Sequence, residues 1–470
     1  MSVNEFNGLG SRLSTRLGDS EALNTQPRAR HVCASESDRV ASPKPPAAGQ
    51  LRPPVIHCVY REGLSAIFRS QILTPVRQYQ SDGWDVRLVV FTPIGEYLRR
   101  PAREAWESQS AAIREVVGGR FHRLPSGPAR IHSLRADALL FKTWIHEQPW
   151  VDQPFILHCR GRSMTLIAAQ ALTQLPHGRL IFDCRGLGHV EGSGRGNSES
   201  TGLAKLDREA VRRADVVLCV SDTMKRVLEP VAAGKAVVVS PCVVDTAHFA
   251  AQMRHRDRIR EELGLTRRFV VVYCGSLTPW QLPEHSARVF KIIRQVDRTA
   301  HFLAVTTQPD TMRRRLHQAG LSDQSMTVVS VPHEEVGNYL AAGDVGLLLR
   351  ESRFFNEVAS PVKFAEYLAA GMPVILTEGI GDYSEMVSRE DLGLVIDIDD
   401  SGTELERRVG DFVARVTENR TELQERCSGA ARRWLDATQR QDRVVRLYTA
   451  LAGGERPQDQ PDSAAPGLAR

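Results

Sequence analysis

VGLLLRESRFFNEVASPVKFAEYLAAGMPVILTE, residues 345–378, reads as strand, loop, helix and strand. VGLLL and PVILTE are short, almost unbroken apolar runs, the pattern of strands buried on both faces. Between them, Ser360 suits an N-cap and Pro361 the first helical position. KFAEYLAA is helix-compatible, Gly371 is a natural stop, and Pro373 prevents continuation. Two buried strands joined by a helix form a βαβ unit, which implies a parallel sheet with helices on its faces.

The same rhythm extends outward in both directions. VIHCVY, VRLVVF, FILHCR, RLIFDCRG, DVVLCVS and AVVVSP mark the first half, with longer amphipathic stretches between them. FVVVYCG, HFLAVTT, MTVVSV, VGLLLR, PVILTE and LGLVID mark the second. A single core rarely grows beyond about 250–300 residues, and the chain has 470. The expected architecture is therefore α/β, with two doubly wound, Rossmann-like domains and a cleft between them. The expected boundaries are a disordered leader at 1–52, an N-terminal domain at 53–245, a hinge at 246–267 and a C-terminal domain at 268–435. A helix at 436–452 packing back toward the N-terminal domain and a disordered tail at 453–470 complete the reading.

Composition narrows the function. The formal net charge of +5 is too small a surplus to point to nucleic acid. The eight cysteines form no C-x-x-C pair, which fits free thiols in a reducing cytosol. No apolar run approaches the roughly 18 residues of a membrane helix. The expected location is the cytoplasm, and peripheral contact with the inner face of the membrane is compatible with the charge.

The helix start within 345–378 is a place for an anion. Free N–H groups and the positive end of the dipole lie there, and Lys363 adds a full charge. Glu366 follows three residues later on the same face, where it can accept from two ribose hydroxyls. From these residues alone, an ordinary amphipathic helix with a surface Lys–Glu pair is the simpler reading.

The wider pattern resembles a family. S-P-x-K-x-x-E-Y-L-A-x-G-x-P-V-I is similar to the donor-site signature of retaining glycosyltransferases of the GT-B fold, as in family 4. RADVVLCVS, VVDTAHF, VVVYCGSL and AAGDVGLLL follow the family's order of signals, over residues 54–450. The resemblance implies transfer of a sugar from a nucleotide diphosphate to a hydroxyl of a carbohydrate or lipid-linked acceptor. It implies retention, no metal and no cofactor beyond the nucleotide sugar, whose UDP or GDP type stays open. Glu366 would bind ribose, Lys363 and the local backbone would hold the diphosphate, and Ser360 would belong to the same donor site. Two positions depart from the family. Val358 replaces a sugar-facing glutamate, leaving Asn356 or Glu357 for that contact. GSLTPWQ lacks the usual basic residues, so Gly275, Ser276 and Arg350 are the substitutes. A role in surface polysaccharide or glycoconjugate synthesis follows from the resemblance alone.

On the N-terminal side, HCRGRS places His158 and Arg160 at a strand end. A lone histidine there is commonly structural, but the resemblance implies that His158 faces the donor sugar. Arg160 and Arg162 suit a phosphate or an acidic acceptor. In FDCRGLGHVEGS, Asp183 and Arg185 form either a buried pair or, with Glu191, an acceptor contact. Gly63 and Ser65, after the first strand, are weaker candidates for the cleft lining. Asp397, Asp399 and Asp400 mimic an Asp-x-Asp metal motif but lie far along the chain from the proposed helix, and no metal is expected. A non-catalytic nucleotide-sugar binding protein and a GT-B epimerase are the alternatives. A nicotinamide oxidoreductase is disfavoured because no G-x-G-x-x-G follows the first strand of either half.

Overall fold

In the computed structural model the described residues are 52–63, 68–127, 131–187 and 199–455. Ser65, Glu191, and almost all of the expected leader and tail lie outside them.

Strands β1 (Val55–Tyr60), β2 (Val86–Pro93), β3 (Phe121–Ser126), β4 (Phe155–Arg160), β5 (Gly178–Asp183), β6 (Val216–Cys219) and β7 (Val237–Val239) form one parallel sheet. Its order is β3-β2-β1-β4-β5-β6-β7. Strands β8 (Val270–Cys274), β9 (His301–Val305), β10 (Met326–Val329), β11 (Val345–Leu348), β12 (Val374–Thr377) and β13 (Gly393–Ile396) form the second, in the order β10-β9-β8-β11-β12-β13. Both orders reverse beside the first strand, the topological switch point at which doubly wound sheets bind ligands. All twelve apolar runs are strands. The thirteenth, β3, has the sequence FHRLPS and was not foreseen. It is an outer strand, where a proline and partial exposure are tolerated.

Buried aliphatic residues on both faces of each sheet form the cores. The helix between β11 and β12 runs Val362–Ala369, one residue later than expected. Pro361 occupies its N-cap position and no side chain caps it. Ser360 instead accepts the Cys242 N–H at 2.9 Å and lies 2.7 Å from the Tyr383 hydroxyl. Tyr367 anchors the helix: its hydroxyl accepts from Cys274 N at 2.8 Å and donates to the Leu347 carbonyl at 3.2 Å. A Cβ at Gly346 would strike the Tyr367 ring, so the glycine allows helix and strand to approach closely.

The two sheets are tied across the cleft. Asp382 accepts from Asp222 N at 2.8 Å and Thr223 N at 3.3 Å, capping the helix Asp222–Ala232 from the other half of the molecule. Ser221 Oγ donates to the Val358 carbonyl at 2.9 Å, and the Val358 side chain packs into the core of the first sheet. The last helix, Ala437–Ala452, buries Val444, Leu447, Tyr448 and Leu451 against that sheet.

Candidate active site

At the end of β8 the chain turns through Gly275, whose φ of +137° is a glycine conformation. A Cβ there would also collide with the end of the Lys363 side chain, so the turn and the helix start are packed together. Lys363 Nζ donates to Gln281 Oε1 at 2.6 Å and lies 5.4 Å from the Tyr273 ring centroid. Arg350, after β11, is 8% exposed and donates to Asn356 Oδ1 at 3.2 Å, while its Nε has no hydrogen-bond partner. Among the described residues, no carboxylate makes an ion pair with either cation. Two positive charges thus converge beside a glycine turn and a helix N-terminus, held only by neutral amides.

Their protonation reflects this. Burial, then the Arg350 guanidinium, push the Lys363 ammonium down to about 7, against the pull of Cys274 and Glu366. Lys363 keeps part of its surface in solvent, which moderates the shift. Burial pushes the Glu366 carboxyl up to about 7, opposed by Lys363. Burial lowers Arg350 to about 10. An incoming anion reverses the penalty on both cations. Glu366, 8% exposed, has no hydrogen-bond partner among the described residues. It lines a cavity of about 440 Å³ whose other walls include Val362, His333, Phe249, Tyr79 and Arg440. That volume lies within the usual range of ligand pockets.

The remaining expected residues on this side are arranged differently. Asn356 is wholly buried, with its amide donating to the Glu351 carbonyl at 2.7 Å and accepting from Arg350, so it shapes the loop and faces no open space. The Ser360 hydroxyl is engaged with Cys242 and Tyr383. The Gly275 N–H is spent on the Val305 carbonyl, and the Ser276 carbonyl accepts the Tyr273 hydroxyl at 2.9 Å. Gln281 and Tyr273 were missed. Gln281 sits inside GSLTPWQ, so the signal was the absence of a base there and not the presence of an amide.

At the switch point of the first sheet, the parallel register sets His57 beside His158 and Arg160 beside Asp183. The two imidazoles stack at 4.4 Å, both fully buried. His158 Nδ1 lies 2.7 Å from the Tyr448 hydroxyl, and its Nε2 lies 3.7 Å from Asp183. His158 therefore stands inside the core, facing Tyr448 and Asp183 where the resemblance implied a sugar. Arg185 pairs with Asp183 at 2.8 Å and donates to the Ser240 carbonyl at 3.2 Å, the buried-pair arrangement. Arg160 pairs with Glu62 at 2.8 Å. Arg440, from the last helix, lies 3.9 Å from Asp183. Burial alone would raise Asp183, but Arg185 and His158 hold it well below the usual carboxylate range. Tyr448 lies 290 residues from His158 in the chain, and Arg440 enters from the same helix, with no local signal in the sequence. Among the described residues, no cluster of His, Cys, Asp and Glu is placed to hold a metal ion, and Asp397–Asp400 form a turn.

Known proteins share this fold. Residues 255–434 match the model of "Glycosyl transferases group 1", and residues 71–248 match "Glycosyltransferase Family 4". A GDP-mannose-dependent alpha-(1-6)-phosphatidylinositol monomannoside mannosyltransferase of Mycolicibacterium smegmatis is 27% identical over 281 residues, 57% of this chain and 71% of that protein. Sucrose-phosphate synthase of Thermosynechococcus elongatus shares the fold with a TM-score of 0.63 at 16% identity, over 86% of this chain and all of that one. Anabaena HepE in complex with UDP does so with a TM-score of 0.60 at 12% identity, over 84% and 99% of the chains. No helix among the described residues is long and apolar enough to cross a membrane. With two parallel sheets, a cation cradle at the second switch point and family models matched on both halves, the chain belongs to the family 4-like glycosyltransferases of the GT-B fold, enzymes that use nucleotide sugars.

Proposed function

We propose that the enzyme moves a sugar from a nucleoside diphosphate to a hydroxyl acceptor, with Lys363 and Arg350 holding the diphosphate and Glu366 the ribose. One observation carries this reading: two cations without a carboxylate partner meet at the glycine turn and the start of the Val362–Ala369 helix. A diphosphate there displaces Gln281 from Lys363 and takes up a proton on that lysine. The ribose then lies one helical turn deeper, against Glu366, and the base enters the cavity beside His333.

As the sugar leaves, negative charge grows on the diphosphate, where preorganised cations are most effective. These side chains supply that charge themselves, so the reaction needs neither metal nor added cofactor. Retention of the anomeric configuration follows from the family resemblance. The mycolicibacterial relative uses GDP-mannose and HepE was crystallised with UDP, so both bases are candidates. The acceptor is a carbohydrate or a lipid-linked glycan in surface glycoconjugate synthesis, met at the cytoplasmic face of the membrane.

The test is a thermal-shift screen against UDP-, GDP- and ADP-sugars, followed by assay of nucleoside diphosphate release. A stabilising nucleotide sugar whose effect is lost in K363A and E366Q supports the assignment. If no nucleotide sugar stabilises the protein, or both variants respond like wild type, the assignment fails. Donor binding without release of diphosphate in the presence of glycan acceptors would favour the binding-protein alternative.

A further inference from the structure

We propose that the switch point of the first sheet is a second anion subsite, where Arg160 and Arg185 take the phosphate group of the acceptor in place of Glu62. This deepens the transferase reading above and rests on it.

The argument begins with charge. Arg160, Arg185 and Arg440 gather around Asp183 at the ends of β4 and β5, with Glu62 as the second carboxylate. His57 and His158 add no charge at neutral pH, since burial lowers both. Three guanidinium groups thus face two carboxylates, of which Asp183 is 1% exposed and Glu62 is 36% exposed. A charge left uncompensated in a protein interior is costly.

Hydrogen bonding also leaves donors over: Arg185 Nη2 and Arg440 Nε are buried without a hydrogen-bond partner, while Arg160 Nη1 and Arg440 Nη2 reach Asp183 only at 3.7 and 3.9 Å. The guanidinium groups come from two strand ends and a helix and converge on Asp183. Tetrahedral phosphate oxygens can accept from several such directions at once.

Geometry supplies the entrance. The sheet order reverses between β1 and β4, the position at which this fold binds ligands. Arg160 ends β4, and Glu62 follows β1. Glu62 grips Arg160 Nε with both oxygens, at 2.8 and 3.1 Å, from the solvent side. A part-exposed carboxylate on an otherwise buried guanidinium is an internal stand-in that a stronger anion can replace. Asp183, fully buried, pairs with Arg185 at 2.8 Å and lies 3.7 Å from Arg160, which holds both arginines in place.

The experiment is calorimetric titration of inorganic phosphate into the full chain already saturated with the nucleoside diphosphate it binds. One phosphate per chain is expected. R160Q should weaken it at least about tenfold, the worth of a charge-assisted hydrogen bond, with nucleotide affinity unchanged. E62Q removes the competing carboxylate on a part-exposed residue and should tighten phosphate binding, a readout that stands even if R160Q fails to fold. No phosphate binding beyond the nucleotide, or unchanged affinity in E62Q, overturns the subsite and leaves the donor assignment intact. Glycerol phosphate and vesicles of phosphatidylcholine with phosphatidylinositol separate the sources. Binding to either sustains the subsite and names its source, and binding to neither overturns it.

Discussion

The two switch points of this molecule handle charge in opposite ways. In the second sheet, Lys363 and Glu366 both sit near neutrality, each pushed to about 7, and Lys363 is held only by an amide. In the first, arginines surround a carboxylate held far below its ordinary range. One edge is tunable and waits for a ligand to set its protonation. The other is permanently charged, its arginines shared between the buried Asp183 and the part-exposed Glu62. The difference suggests a division of labour: the second edge changes its protonation as it binds and releases a diphosphate, while the first offers fixed cations to a second anion.

That contrast can be broken in several places. The largest effect is expected from D183N, which leaves three guanidinium groups around a neutral amide. Losing one partner of a buried charge cluster costs about 3–5 kcal/mol, so chemical denaturation should show a large loss of stability. The folded fraction should still bind nucleotide. K363A and E366Q should do the reverse, weakening nucleotide affinity about 10–100-fold without lowering the melting temperature of the free protein near pH 7, since each removes a group whose burial opposes folding there. If D183N abolished nucleotide affinity and K363A did not, the roles would be exchanged.

The pH dependence sharpens the comparison. Nucleotide affinity should peak near pH 7. It should fall above that as Lys363 loses its proton, by at most about tenfold per unit, and below it as Glu366 gains one. Folding stability moves oppositely. Glu366, raised from 4.5, removes stability as pH rises from 4.5 to about 7. Lys363, lowered from 10.5, restores it as pH rises from about 7 toward 10.5. Denaturation across that range should reveal a minimum near neutrality that nucleotide fills; K363A should abolish the rise above pH 7 and E366Q the fall below it. The smallest effect belongs to Y448F, which removes the hydroxyl beside His158. It should cost about 0.5–1.5 kcal/mol of stability and leave nucleotide affinity unchanged, by the same two assays.

Much of this was legible in the chain. Continuous β-branched runs announced twelve strands, because strands buried on both faces need apolar side chains at every position. β3 escaped because an outer strand need not be apolar, and FHRLPS is not. Lys363 and Glu366 were legible because one helix spaces them and local geometry suffices. Asn356 and Ser360 were misplaced for a tertiary reason: their polar groups are consumed by Arg350, Cys242 and Tyr383, which sequence spacing cannot reveal. His158 was found at its strand end, but its partners come from the last helix, and no pattern near residue 158 encodes Tyr448. Long-range polar networks are the part of a site that periodicity leaves unread.

The central claim is that Lys363 takes up a proton when the diphosphate arrives. Calorimetry at pH 8, in two buffers of different ionisation enthalpy, measures this directly. Wild type should bind the nucleoside diphosphate with net proton uptake, and K363A should bind it at least about tenfold more weakly with that uptake gone. Equal affinity and equal proton uptake in the two proteins would contradict the account.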